Sequence, residues 1–513
     1  MIRITAARRR VAATAVSALL VLLGPAAWPA WADSTTTTDP NNQVGPEFWT
    51  PPPINYSAYL PPLPPPGGAP DRPYAPASNQ QCVSSGVGPV TSVQNVPAAQ
   101  SMLDIDDAQK VGDDGAGVTV AVIDTGVNQH PFLTDNGRLR NGGDYITNSG
   151  DARNDCDGHG TIVAGIIAAN TSQSSIPVGF KGVAPQANIL AIKQTSSRYQ
   201  AQNGNSTVTA GDLTTLASAI FYAAHQPDVK VITMSVDECI PATPAALQVI
   251  YGQQQFKQLQ AAIHYAVNTA DKVVIAAAGN ISSGGGNGAD QNGQSPCSNV
   301  PNNTNPNPNE VNMVEIPPVF ADDVLSVASV NPVTSGNAYT SGVSSFSVWG
   351  PWVSLAAPGE NIVSLDPAAN GSQLSNQTTE NNQTIPLQGT SFAAPYVAGV
   401  AALVRKKFPT MSARQVMQRL EATAQHPSGG ADGRNSAVGY GVIDPMAALT
   451  AAMPGENGVP PENGVNIPAA LPAANVQDPV PLLVALIGTA AGVVIFVVVA
   501  FTVRARRRNE TTR

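Results

Sequence analysis

Charge is scarce in this chain, and positive charge scarcer than negative. Charged residues make up 12% of 513, and 26 Lys and Arg are outnumbered by 35 Asp and Glu, for a formal net charge of −9. No basic patch offers itself, so nucleic acid is excluded as a partner. Cysteine is also sparse, with four residues, Cys82, Cys156, Cys239 and Cys297. No Cys-x-x-Cys or paired-histidine spacing accompanies them, which argues against a bound metal. Asp124-Thr125-Gly126 has no second Asp-Thr-Gly or Asp-Ser-Gly to pair with, which excludes a two-loop aspartic protease. Repeated domains and wall-binding motifs are absent, so the chain is not read as an adhesive module.

Hydrophobic residues form 42% of the chain, and Gly and Pro number 45 each. That balance suits a globular core with uncharged polar loops and long linkers. The ends indicate export and anchoring. Arg8, Arg9 and Arg10 precede an apolar run from Val11 to Leu23, and Ala30-Trp31-Ala32 follows. Residues 1–32 are therefore expected to be a cleaved secretory signal. Leu482 to Val503 is an uncharged run, long enough as a helix, at roughly 33 Å, to cross a bilayer core. Arg504, Arg506, Arg507 and Arg508 follow it. By the positive-inside rule, residues 504–513 are a cytoplasmic tail, 482–503 a single transmembrane helix, and everything earlier extracytoplasmic at the cell membrane. In an oxidising compartment four cysteines suggest two disulfides, with three connectivities open. The expected pairs are Cys82–Cys156, tying an N-terminal arm to the loop that carries His159, and Cys239–Cys297, bracing a long loop.

Between the ends the composition shifts twice. Residues 33–99 form a Pro-rich extension, with Pro51-Pro52-Pro53 and Pro61-Pro62-Leu63-Pro64-Pro65-Pro66. It is expected to stay extended and to wrap the following domain. Residues 453–481 are a Pro-rich linker with a coil reach of roughly 30 Å, so the domain should sit near the membrane. Within residues 100–452 the pattern is βα. Strands are expected over Val118–Ile123, Ala187–Ile192, Val229–Met234, Val273–Ala278, Val324–Val330 and Trp352–Ala356. Helices are expected over Thr161–Ala169, Leu213–Ala224, Leu259–Asn268 and Phe392–Phe408. Continuous apolar strands between helices imply a parallel sheet covered on both faces. Ile281–Glu310 and residues 367–384 are expected to be exposed polar loops.

Four short motifs on these elements carry chemistry. A serine becomes nucleophilic when a base takes its proton, an acid orients the base, and donors await the oxyanion. Asp124 ends the first strand, His159 lies in Asp157-Gly158-His159-Gly160-Thr161, Asn280 ends Ala276-Ala277-Ala278-Gly279-Asn280, and Ser391 lies in Gly389-Thr390-Ser391-Phe392-Ala393-Ala394-Pro395. Each has a plain structural alternative: a turn Asp, a structural His, a turn Asn, an N-cap Ser. Pro395 is expected in the first turn of its helix, where a missing N–H costs least. His130, His225, His264 and His426 are assigned to surface or core.

The order Asp, His, Asn, Ser within these motifs resembles the subtilisin family, the subtilases, over about residues 100–450. That resemblance implies a subtilisin-like α/β fold and a serine endopeptidase working through an acyl-enzyme. Ser391 would attack, His159 would move the proton, Asp124 would orient His159, and Asn280 with the Ser391 N–H would hold the oxyanion. Ser235, Val236 and Gly279 would line the substrate site. The segment Ser235-Val236-Asp237 departs from the Ser-Leu-Gly of many subtilases, and Asp237 or Glu238 would favour a basic or polar substrate residue. Typical calcium loops are not evident, and no metal or cofactor is expected. The export signal, Pro-rich arm, cysteines, membrane helix and basic tail together resemble the mycosins, the membrane-anchored subtilases of actinobacterial type VII secretion. That narrower resemblance implies protein or peptide substrates, partners in a type VII secretion membrane complex, and a structural role there beside proteolysis. It also implies that the arm stays attached without blocking the site.

Overall fold

The computed structural model describes residues 49–453, apart from 78–81, 87–94, 148, 173, 175–177, 204–205, 237, 282–298, 300–310, 333–341, 369–372, 381–382 and 428–432. The expected signal, linker, membrane helix and tail lie outside the described residues. Among those residues no helix is long and apolar enough to cross a membrane.

The core is a seven-stranded sheet of β1 (Thr119–Asp124), β2 (Leu139–Asp144), β3 (Asn188–Lys193), β4 (Val229–Met234), β5 (Val273–Ala277), β6 (Leu325–Val330) and β7 (Val353–Pro358). Its order is β7-β6-β5-β4-β1-β3-β2, and every pairing is parallel. β1, β5, β6 and β7 are buried at every position, because helices cover both faces. β-branched residues in β1 suit that two-sided burial. On one side α1 (His159–Ala168) packs against α4 (Thr390–Lys407); on the other, α2 (Leu213–Ala224) packs against α3 (Gln254–Asn268). Small residues in α1 and in the first half of α4 let these helices approach closely. The basic residues of α4, Arg405, Lys406 and Lys407, gather in its last turn, where they complement the helix dipole. α2 begins with a reciprocal cap, in which the Asp212 side chain accepts from the Thr215 N–H and the Thr215 hydroxyl accepts from the Asp212 N–H.

Strand order reverses at β1, since β3 and β2 lie on one side of it and β4 to β7 on the other. A crevice opens beyond the carboxyl ends of strands at such a switch point. Asp124 ends β1, Ser235 follows β4, and Asn280 lies just past β5, so three of the singled-out positions meet at that crevice.

Several expectations shift. α3 starts five residues earlier than expected, at Gln254, and α1 starts at His159 rather than Thr161. The strand β2, with sequence LRNGGD, was not anticipated. Residues 367–384 are not simply an exposed loop. Leu374 and Ser375 are buried, and Gln377–Glu380 pairs with both Gln383–Pro386 and Ser84–Gly86 of the N-terminal extension. Backbone pairing, which the polar side chains do not advertise, orders this segment.

The extension contacts the domain along its described length. Trp49 meets Trp352 edge-on with ring centroids 5.7 Å apart, a geometry worth about 0.5–1.5 kcal/mol beyond burial. Tyr56 stacks on His264 of α3. The Asp144 N–H of edge strand β2 donates to the Gly67 carbonyl, 2.8 Å away. Ala75–Pro76 pairs with Tyr199 and Gln200 of a hairpin at Ser196–Ala210. Cys82 is disulfide-bonded to Cys156, three residues before His159. Cys239 is also disulfide-bonded, and Cys297 lies outside the described residues.

Candidate active site

Asp124, His159 and Ser391 come together in one chain of hydrogen bonds. His159 Nδ1 lies 2.7 Å from Asp124 Oδ1, and His159 Nε2 lies 2.9 Å from Ser391 Oγ. With a neutral imidazole, Nδ1–H donates to the carboxylate and Nε2 accepts from the serine hydroxyl. Asp124 is 1% exposed, and its Oδ1 also accepts the Thr125 N–H at 2.7 Å. The imidazole keeps 29% of its surface open, enough for a substrate to reach Nε2. Its ring lies against Phe392, with centroids 5.1 Å apart. Burial pushes the His159 pKa down, but the adjacent Asp124 charge and hydrogen bond, with Asp155 and Asp157 nearby, outweigh it and hold it above 6.5.

Local sequence sets these positions. Gly158 caps α1 at φ +79°, a left-handed turn that swings His159 out at the start of the helix. Gly160 serves closeness instead of turning: a Cβ there would lie 2.1 Å from the Gly126 carbonyl oxygen and 3.0 Å from Asp124 Cβ. The histidine helix and the aspartate turn therefore touch backbone to backbone.

Ser391 is the second residue of α4 and is 8% exposed. It does not cap the helix, since its hydroxyl faces His159. Pro395 is the sixth helical residue, not part of the first turn as expected. Its ring removes the N–H that would bond the Ser391 carbonyl. The Ser235 hydroxyl donates to that carbonyl at 3.3 Å. Ser235, expected at the substrate site, thus also braces the nucleophile's backbone.

Asn280 is oriented by Thr390. Its Oδ1 accepts the Thr390 N–H at 3.0 Å and the Thr390 hydroxyl at 3.2 Å. The amide Nδ2 is left to donate elsewhere. The Ser391 N–H, in the first turn of α4, has no intrahelical acceptor. The arrangement supplies a serine with a base, an acid behind the base, and two N–H donors near one helix start.

Val236 packs against the core in a partly exposed position, and Asp237 lies outside the described residues. Gly279 sits at φ +102°, and a Cβ on it would lie 2.8 Å from Glu315 Cδ. Glu315, fully buried on a strand that pairs with Glu238–Pro241, was not singled out from the sequence. Nothing in its surroundings, Val-Glu-Ile, marks it. Asp155 was likewise missed, although it lies four residues before His159. The other histidines stand apart from the site. His130 is buried and caps the short helix Pro131–Thr134, its pKa pushed down to about 4 by burial. His225 and His426 are exposed, and His264 bonds Asp323.

Comparison with known proteins agrees with this geometry. The model of the subtilase family matches residues 115–441. Mycosin-1 of Mycolicibacterium smegmatis is 37% identical over 453 residues, covering 87% of this chain and 88% of that protein. The crystal structure of MycP1 from the ESX-1 type VII secretion system aligns with a TM-score of 0.65 and 36% identity, over 79% of this chain and 96% of that one. A chain in the periplasmic assembly from the ESX-5 inner membrane complex aligns with a TM-score of 0.65 and 36% identity, over 79% and 95%. Fold, site geometry and relatives converge: the chain belongs to the subtilase family, among the relatives of the mycosins, and is a serine endopeptidase.

Proposed function

We propose that this endopeptidase is anchored in the cell membrane and cleaves exported proteins as part of a type VII secretion system, through an acyl-enzyme. The observation that carries the chemistry is the continuous Asp124–His159–Ser391 hydrogen-bond chain at 2.7 and 2.9 Å. In this reading Ser391 Oγ bonds to the substrate carbonyl carbon while its proton passes to His159 Nε2. The carbonyl π electrons move onto the oxygen, which the Asn280 amide and Ser391 N–H stabilise. Collapse breaks the C–N bond, and His159 hands its proton to the departing amine. Water, deprotonated by His159, then attacks the acyl carbon; the proton returns to Ser391 as the acid leaves. Asp124 holds the imidazole tautomer and balances its charge throughout. Ser235, Val236 and Gly279 line the substrate cleft.

The placement rests on sequence and relatives. Residues 1–32 direct export, 33–99 wrap the catalytic domain of residues 100–452, 453–481 link it to the membrane helix 482–503, and 504–513 remain cytoplasmic. The second disulfide is Cys239–Cys297. Similarity to a chain of the ESX-5 periplasmic assembly supports a location outside the membrane within such a complex. The same similarity favours a second reading, in which the protein chiefly stabilises the complex.

Two measurements test the proposal. Membranes carrying the full-length chain are treated with a fluorophosphonate probe, and labelling is expected in wild type and absent in Ser391→Ala. Unlabelled, folded wild type would refute an assembled nucleophile. A deletion strain complemented with Ser391→Ala then separates the readings: lost secretion supports proteolysis as the role, and restored secretion supports scaffolding.

A further inference from the structure

We propose that Asp155 is a positioning residue for the catalytic pair, its buried carboxylate fastening the turn after Asp124 to the first turn of the helix that begins with His159. The inference rests on the Asp124–His159–Ser391 reading above. Asp155 is 3% exposed. Its Oδ1 accepts the Thr125 hydroxyl at 2.8 Å and the Gly158 N–H at 2.8 Å. Its Oδ2 accepts the Thr161 N–H at 2.9 Å and the Thr161 hydroxyl at 2.6 Å. All four partners act as donors. The Thr125 hydroxyl already accepts the Gly160 N–H at 3.0 Å, and the Thr161 hydroxyl already accepts the Asn128 N–H at 2.9 Å. The hydrogen of each hydroxyl is thus left for the carboxylate. A group facing four donors is satisfied only as an acceptor on both oxygens, which an ionised aspartate provides and an asparagine does not.

These bonds join the two segments that present Asp124 and His159. Thr125 is the residue whose N–H fixes Asp124 Oδ1, and its hydroxyl is held by Asp155. On the other side, Gly158 and Thr161 flank His159. Asn128, beyond the aspartate turn, closes the clamp. Its Oδ1 accepts the Asp155 N–H, and its Nδ2 donates to the Asp155 carbonyl, both at 2.8 Å. Because Gly126 and Gly160 are in backbone contact, loosening this clamp shifts the Asp124–His159 bond directly. A misplacement of about 1 Å from a change outside the reacting atoms costs on the order of 10²-fold in rate.

Asp155 also contributes to the field at His159. The groups around that imidazole are Asp124 of β1, Asp155 and Asp157 of the preceding loop, and Ser391 and Phe392 of α4. Arg198 of the hairpin lies 3.8 Å from Asp157, and Lys193 of β3 donates to the Asn154 carbonyl at 3.0 Å. Burial pushes the Asp155 carboxyl up, and the Thr161 and Thr125 hydrogen bonds pull it back down. In its charged form it helps support the His159 imidazolium, and Asp155→Asn removes that support.

The test measures the rate of fluorophosphonate labelling against pH, using full-length chain in detergent and normalising to the folded fraction from thermal unfolding. Asp155→Asn is expected to label on the order of 10²-fold more slowly, with its acid limb moved to lower pH. Thr125→Val is expected to be slow and Thr125→Ser to be near wild type, since Ser keeps the bridging hydroxyl. Wild-type rates and an unmoved limb in folded Asp155→Asn would overturn the proposal. Should Asp155→Asn not fold, the Thr125 pair decides, and Val labelling as fast as Ser overturns it. Labelling of wild type but not of Ser391→Ala in the same assay keeps the underlying triad reading separate. An unlabelled wild type would overturn that reading and this one with it.

Discussion

Replacing Asn280 with alanine isolates the oxyanion donor from the rest of the machinery. The Asn280 side chain faces two ways: its Oδ1 is occupied by the Thr390 N–H and hydroxyl, so only Nδ2 is left to donate to developing charge. Loss of one such donor typically lowers turnover 10²–10³-fold, or about 2.7–4 kcal/mol of transition-state stabilisation. The oxyanion exists only after attack, so KM should stay within about twofold while kcat falls. Asn280→Ala also leaves the Thr390 N–H without its acceptor, a stability cost of roughly 1 kcal/mol that thermal unfolding reads separately. Asn280→Asp separates the two effects. It keeps an oxygen for Thr390 but places an acceptor and a negative charge where a donor is needed, so kcat should fall at least as far with Thr390 still paired. The assay is steady-state cleavage of a quenched fluorescent peptide library, with active enzyme counted by fluorophosphonate titration. A kcat within threefold of wild type in Asn280→Ala, or a loss carried by KM alone, would refute the assignment.

Four further outcomes follow from the structure. Catalysis needs neutral His159, so kcat/KM should fall with acid through a limb lying above 6.5, as its raised pKa requires; a limb below 6.5 would contradict the geometry. The stability sign is opposite: the fold favours charged His159, so this contribution is full below 6.5 and lost as pH rises through the raised value, which pH-dependent unfolding of wild type and His159→Ala would reveal. The Cys82–Cys156 disulfide spans 74 residues, for which chain entropy predicts about 4.5 kcal/mol; replacing both cysteines with serine should cost a large part of that in denaturant unfolding, and a change under about 1 kcal/mol would refute the loop-closure argument. Gly160→Ala should cost about 1–3 kcal/mol through overpacking and lower kcat more than KM, since its methyl would drive the histidine helix off the aspartate turn; unchanged kcat would show that the contact is not needed.

The sequence by itself determined the parts whose signal is local. The β-branched run before Asp124 announces a buried strand, because burial on both faces needs apolar residues at every position. The motifs around Asp124, His159, Asn280 and Ser391, in that order, carry the resemblance to the subtilases, and that resemblance implies a serine protease. Other features became legible only once the chain was folded. Strand β2 carries Asn141, Gly142, Gly143 and Asp144 and has no apolar run to betray it. It is a strand because β3 and Gly67 of the extension supply its hydrogen-bond partners. Composition left three cysteine connectivities open, and the expected Cys82–Cys156 link is the one that the folded extension makes. Pro395 looked harmless at a helix start; its actual sixth position frees the Ser391 carbonyl, and Ser235, 156 residues away in sequence, answers it. Asp155 carries no signal in the sequence, and folding surrounds it with four donors. The division has one physical cause: periodicity and motif chemistry are properties of neighbours along the chain, whereas hydrogen-bond satisfaction of buried polar groups is a property of neighbours in space.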